Sequence, residues 1–258
     1  MPEHSTERVP CSYAMPNGSA ASQSLSDRDL TIGEDGRFEI VLSRERPDAL
    51  GSASWLPLDE SAHSVVVRQY FLDRSMDVPP AYDIEVVDRA LTLRRLSEAD
   101  VASLLQRVVR NCEFNSTIGV RFLTDLRDMP NEFVPTDTGR LMPFGPTPDN
   151  WYALAWYRLQ HDEALVIEGD VPDAQCWGFH LHDRWMDTFD HPHRHTGINC
   201  REIPVEGGRF RVVIGPEPSD RAGWLDRGGR REGHLFFRAQ RPERVSLPEC
   251  RVVSATTI

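Results

Sequence analysis

The sequence predicts a mainly β fold, with two antiparallel sandwich- or jelly-roll-like units joined by a short helical segment, α+β overall. Three observations predict it. Apolar segments of strand length recur along most of the chain and are punctuated by Gly and Pro. Only one stretch carries apolar residues at helical spacing. Beyond that stretch, strand-like segments follow one another every ~10–20 residues without a helical pattern between them, which disfavours a parallel sheet built on crossover helices.

Residues 1–28, polar and rich in Ser, Pro and Ala, read as a flexible leader. Residues 29–95 read as an N-terminal β unit, incomplete in outline. It opens with Leu30-Thr31-Ile32, the turn Glu34-Asp35-Gly36 and the run Phe38-Glu39-Ile40-Val41-Leu42. Asp-Gly between two such runs predicts a tight hairpin, because Gly accepts the positive φ that the turn requires. A longer strand over 64–72 would place Val65, Val67, Gln69 and Phe71 on one face, and 81–87 reads as its neighbour beyond Pro79-Pro80.

Residues 96–149 read as a helical connector and loop. Ser97 with Asp100 three residues on is close to a capping box, and Val101, Leu104, Leu105, Val108 and Val109 fall on one helical face. A second segment over 118–126 continues this helix or repacks on it. The run 129–150, rich in Pro, Thr, Asp and Gly, reads as a long loop at a domain junction. Residues 150–258 then read as a C-terminal β-sandwich domain, with strands over 151–159, 164–168, 176–182, 210–214, 234–238 and 251–253.

Composition narrows the function classes. Net charge is −11, which argues against a nucleic-acid partner, since phosphate binding needs clustered cations. All 29 basic residues are Arg. Five widely spaced cysteines without a CxxC pair read as reduced thiols in a cytoplasmic protein. No apolar run reaches the roughly 18–20 residues of a membrane helix, and the first residues lack the basic start and apolar core of a secretory signal, so no membrane partner is expected.

Five of the nine histidines fall between Phe179 and Thr196. Residues two apart in a strand share a face, so His180 and His182 can point together, as can His191, His193 and His195 if extended. Two such imidazoles can ligate one divalent metal at about 2 Å each. The spacing followed by Asp187 resembles part of the cupin metal motif, without that motif's framing glycines; Pro192 opposes regular pairing. Solvated loop histidines beside Asp183 and Asp190 are the plain alternative. Among acids, Glu168 at the end of the apolar run Ala164-Leu165-Val166-Ile167 must be solvated or paired, and Asp190 lies beside Arg194. Aromatics on strands, among them Trp151, Trp156, Trp177, Trp185 and Trp224, could stack on a sugar ring or flat ligand, with core packing as the plainer alternative. There is no G-x-S-x-G elbow, P-loop or G-x-G-x-x-G, so no nucleotide cofactor is expected.

Several segments, in order, resemble the bacterial family known as domain of unknown function 1214. They are Gly36-Arg37-Phe38-Glu39-Ile40-Val41-Leu42-Ser43, Trp55-Leu56-Pro57-Leu58, Val67-Arg68-Gln69-Tyr70-Phe71 and Glu163-Ala164-Leu165-Val166-Ile167-Glu168-Gly169. They continue through His193-Arg194 to Asn199, Trp224-Leu225-Asp226, Gly229, Arg231-Glu232-Gly233, Phe236-Phe237-Arg238 and Cys250-Arg251-Val252-Val253. The resemblance spans about residues 29 to 253. It implies a β-sandwich with jelly-roll character and no agreed activity. It also implies a longer helical N-terminal region than precedes Leu30 here, which marks a short member. His193, Arg194 and Asn199 fit the family pattern, whereas His180, His182 and His195 depart from it.

Three readings follow. In the first, the protein recognises a small molecule or carbohydrate in a polar cleft and acts as a hydrolase or lyase. Glu168, Asp190 and His193 are then the catalytic groups, and Arg68, Arg194, Asn199, Asp226 and Arg231 bind substrate, the arginines holding an anionic group. In the second, it is a metal-dependent cupin-like enzyme using His180, His182 and His193. In the third, it is a non-catalytic interaction or assembly module, for which a homo-oligomer is compatible with the sequence.

Overall fold

The structure, a computed structural model, describes residues 11–14, 23–60, 62, 65–73, 75–87, 95–121, 124–137, 141 and 146–258. The chain is mainly β, with mostly antiparallel sheets, and divides into two compact units. One comprises residues 1–79 and 136–151, the other 80–135 and 152–258.

The smaller unit holds strands β1 (Cys11–Ala14), β2 (Ser24–Leu25), β3 (Ile40–Ser43), β4 (Ser54–Pro57) and β5 (Val65–Arg68). β1 pairs antiparallel with both β2 and β5, so strands lie within the stretch expected as a flexible leader. Gly36, at φ +76, does make a tight turn, with the Gly33 amide donating to the Arg37 carbonyl at 2.8 Å. The hairpin does not follow. Residues 30–32 form no strand, and β3 pairs in parallel with β4, registering Val41 with Trp55. Leu56 is fully buried, while Trp55 Nε1 donates to Ser43 Oγ at 2.9 Å. Residues 81–87 are not a strand either, and Ile84 and Val87 stand in solvent.

The larger unit begins with helix α1 (Glu98–Arg121). The expected capping box is present: the Asp100 amide donates to Ser97 Oγ at 3.2 Å, and Asp100 Oδ2 accepts from the Ser97 amide at 2.9 Å. The expected apolar face forms but is not buried, and Leu105 and Val108 are both more than half exposed. A 3-10 turn over Thr124–Asp128 follows, then β6 (Val134–Pro135) inside the expected loop, part of which lies outside the described residues.

Strand β7 (Asn150–Arg158) starts in the smaller unit and runs on into the larger. It is followed by β8 (Glu163–Asp170), β9 (Cys176–His182), β10 (Gly197–Asn199), β11 (Val205–Glu206), β12 (Arg209–Gly215), β13 (Trp224–Asp226), β14 (Glu232–Gln240) and β15 (Glu249–Ser254). One sheet has the order β10-β9-β14-β7-β6 and the other β11-β12-β8-β15, with β13 parallel to β12. Alternation along β9 turns Trp177, Phe179 and Leu181 to one face and His180 and His182 to the other. The inward set meets Phe210 of β12 in a buried aromatic cluster: Phe179 stacks on Phe237 at 4.6 Å between centroids, and Phe210 lies 5.5 Å from Phe179. Side chains of both sheets thus share one interior.

Candidate functional site

Strand β9 ends at His182 and β14 starts at Glu232, with His182 registered opposite His234. The loop 183–196 leaving β9 and the turn 227–231 entering β14 therefore emerge at the same end of the sheet, and the Asp226 amide joins them by donating to the His195 carbonyl at 2.8 Å.

In the loop, Asp183 Oδ1 accepts from the amides of Trp185 at 2.8 Å and Asp187 at 3.1 Å, an Asx-type turn that leaves Trp185 about half exposed, at 45%. Asp190, at φ +47, lies 2.8 Å from His193 Nδ1 and 3.4 Å from Arg194 Nε. The hydrogen bond from His193, aided by the charges of His193 and Arg194, holds its carboxyl below the usual carboxylate range.

Arg194 Nη1 donates to Asp226 Oδ2 at 2.7 Å, which raises the Arg194 pKa. Asp226 is itself buried, and its Oδ1 accepts from the Gly228 amide at 2.7 Å. Gly228 and Gly229 follow at φ +58 and +74, a conformation L side chains resist. A Cβ on Gly228 would also come within 3.0 Å of Arg230 Nη1, so a side chain there adds a tight contact to the strained backbone. Arg227 is fully buried beneath them and donates to the carbonyls of Leu159, Gln160 and His161. Burial lowers its pKa, and three carbonyls compensate. This bolts the turn to the end of β7.

A cleft of about 300 Å³ opens at this corner, lined by Asp183, Arg184, Trp185, Arg230, Arg231 and Glu232. Glu232 occupies the arginines beside it, bonding Arg184 Nη2 at 2.9 Å and pairing with Arg158 Nε at 3.5 Å. Arg230 lies over the Phe189 ring at 3.9 Å, a cation–π contact that fixes its guanidinium. Arg231 has no carboxylate partner among the described residues and is exposed.

Asp190, His193, Arg194 and Asp226 thus form one chain of contacts, and Arg231 follows in the turn 227–231 and lines the cleft. Within the larger unit, Glu168 and Asn199 do not join them. Glu168 lies on β8 in the other sheet, between Arg211 at 3.7 Å and Arg251 at 3.9 Å, so it is satisfied by cross-strand ion pairs. Asn199, at the far end of β10, accepts from the Arg201 amide and donates its own amide to Glu202. Arg68 ends β5 in the smaller unit.

His180 and His182 do share a strand face, but His193 is exposed in the loop, and among the described residues no three His, Cys, Asp or Glu side chains are positioned to hold a metal ion. The His180, His182 and His193 set is therefore not one site. His182 Nδ1 bonds the Met186 carbonyl at 2.7 Å, and burial, then Arg238, pushes its pKa down to about 3. Its neighbour across the ladder is His234, buried against Trp156 at 4.8 Å between rings. The sequence placed His234 on a strand but not opposite His182, because register is invisible without the turn geometry. Arg230 was missed too. Its only sequence signal is its place after Gly228-Gly229, where a tight turn throws out the next side chains.

These features define a mainly β protein that gathers a charged, arginine-lined corner at one end of its larger sheet pair. The model of the family described as "Protein of unknown function (DUF1214)" matches residues 9–71, which supports the family resemblance and starts it well before Gly36. Among solved structures, the chain is similar to an uncharacterised protein from Burkholderia cenocepacia, at 25% identity and a TM-score of 0.89, covering 98% of this chain and 71% of that one. A protein from Vibrio parahaemolyticus shares the fold at 9% identity and a TM-score of 0.53, covering 98% of this chain and 84% of that one. No curated protein matches the chain. Among the described residues, no helix is long and apolar enough to cross a membrane.

Proposed function

We propose that the protein recognises a small anionic molecule, of the acidic-sugar kind, at the corner formed by loop 183–196 and turn 227–231, carried on a sandwich scaffold of jelly-roll character. Arg231 and Arg230 are the anion contacts, and Trp185 is the flat surface for a ring. The observation that carries this reading is the cleft itself, which sets an arginine without a carboxylate partner and a stacked arginine beside a half-exposed tryptophan. Binding outweighs carboxylate acid chemistry here. Asp190 is held ionised by His193 and Arg194, Asp226 is buried in its pair, and Glu168 lies on the other sheet. Any hydrolase or lyase step falls to His193, whose Nδ1 is held by Asp190 and whose Nε2 is left to move a proton. A thermal-shift screen with sugar acids and their neutral parents tests the reading. A carboxylated ligand that raises Tm in the wild type and fails to do so in Arg231→Ala supports it, and a panel without any stabilising acid overturns it.

The open face of α1 favours a second reading, self-association. Val101, Leu105, Val108 and Val109 leave an apolar stripe in solvent. Its ends are charged oppositely, with Glu98 and Asp100 in the first turn and Arg107 and Arg110 further on. Two copies laid antiparallel bury the stripe and set each acidic turn near the partner's arginines. Light scattering reads this directly: a dimer that Leu105→Glu converts to monomer supports it, and a wild-type monomer at all concentrations contradicts it.

A further inference from the structure

Cys176 is the first residue of β9, and Cys200 follows the last residue of β10, the strand paired with it. Asn199 registers with Gly178, and the Cys200 amide donates to the Trp177 carbonyl at 2.8 Å, so the two cysteines sit diagonally across one ladder end. The ladder stops at Asn199, and the turn that follows keeps the two thiols within interaction range of each other. Both are partly exposed, and neither is in a disulfide. Adjacent strand ends give the short backbone separation that a disulfide needs.

We propose that Cys176 and Cys200 are a dithiol–disulfide couple, closed by a peroxide and reopened by an exogenous thiol. The sequence gives no hint of it, since 24 positions separate the two and neither belongs to a CxxC pair. Their unequal surroundings assign the roles. The interaction with Cys176, with the Trp177 contact and the neighbouring Arg201, lowers the Cys200 thiol pKa, while the same interaction and burial push Cys176 up. Cys200, in the turn beyond the ladder and next to Arg201, is therefore the attacking thiolate, and Cys176, held within β9, the resolving thiol.

The Cys200 sulfur attacks one peroxide oxygen, the O–O bond breaks, and the departing hydroxide takes a proton to leave as water. The resulting sulfenic acid is attacked by the Cys176 sulfur, its S–O bond breaks, and the Cys176 proton leaves with the oxygen as a second water. Two thiols lose two electrons and one hydrogen peroxide becomes two waters. The new bond closes a loop that contains all of 183–196, so oxidation tightens the segment that carries Trp185, Asp190, His193 and Arg194. Cys250, which burial pushes up to about 12, and exposed Cys112 serve as internal controls.

The full chain, reduced and then treated with stoichiometric hydrogen peroxide, is assayed by thiol titration under denaturing conditions and by peptide mapping. The expected result is the loss of two of the five thiols, a mass loss of two hydrogens, one peptide linking Cys176 to Cys200 and a Tm raised by several degrees. Cys176→Ala keeps Cys200 but removes its resolving partner, so Cys200 then accumulates as sulfenic acid that dimedone traps, and the pH midpoint of its alkylation rises toward that of an ordinary thiol. Unchanged thiols after peroxide overturn the proposal. So does a crosslink through other cysteines, or an alkylation midpoint for Cys200 that matches Cys112 in the wild type.

Discussion

The interior between the two sheets and the charged corner are built on the same strands, β9 and β14, and are held together by opposite means. Within the strands, Phe179 and Phe237 stack at 4.6 Å and exclude water by area. One strand end away, Asp226, Arg194, Asp190 and Arg227 are held by directed bonds, each charge answered by a named partner. Burial of area is non-directional and tolerates repacking, whereas pairing is directional and fails when one member is removed. The corner can therefore present arginines rigidly at the rim of a protein whose net charge is negative.

Substitutions sharpen this contrast. The largest effect is expected from Phe179→Ala, which empties the centre of the cluster and should cost about 3–5 kcal/mol in denaturant unfolding. A loss no larger than that of a surface change would mean that the two sheets do not share an interior. Asp226→Ala leaves the Gly228 amide and Arg194 Nη1 without their acceptor and should cost about 2–3 kcal/mol, visible as a lower urea midpoint. Asp190→Ala, at an exposed carboxylate, should move that midpoint far less, and equal losses would erase the distinction between the two acids.

His182 gives a pH test. Its pKa is about 3 folded against 6.5 unfolded, so the unfolded chain binds the extra proton. Stability that is full above pH ~6.5 is therefore lost as the pH falls toward ~3, by up to about 1.4 kcal/mol per unit. His182→Gln should flatten urea midpoints measured across that window, and an unchanged slope would place the acid sensitivity elsewhere. The smallest effect is expected at the exposed Ile84, where Ile84→Ala should shift stability by less than about 0.5 kcal/mol.

The six longer strands of the larger unit were legible as strand-length apolar runs with Gly or Pro near their ends, as in 163–170 and 232–240, whereas the two- and three-residue strands β6, β10, β11 and β13 were too short to show. The Ser97 cap was legible for the same local reason. What depends on distant partners was not. The Asp35-Gly36 turn is correct, yet β3 pairs in parallel with β4, and nothing local selects that mate. Helical spacing in 101–109 announced a face but not whether anything covers it. At the corner, Asp190, His193, Arg194 and Asp226 were picked out of the sequence through their acid–base neighbours and the family-like motifs, and they do pair with one another. Glu168 is paired, as a charge closing an apolar strand must be, but its partners Arg211 and Arg251 stand across the sheet, where sequence spacing does not reach.

The central claim is that the corner binds a small anion through its arginines, and isothermal titration of the full chain with a sugar acid and with its neutral parent tests it most directly. The account predicts saturable binding of the acid alone, weakened at least about tenfold, or about 1.4 kcal/mol, by Arg231→Ala. Equal binding of acid and parent, or acid binding undiminished in an Arg230→Ala, Arg231→Ala double variant, would contradict it.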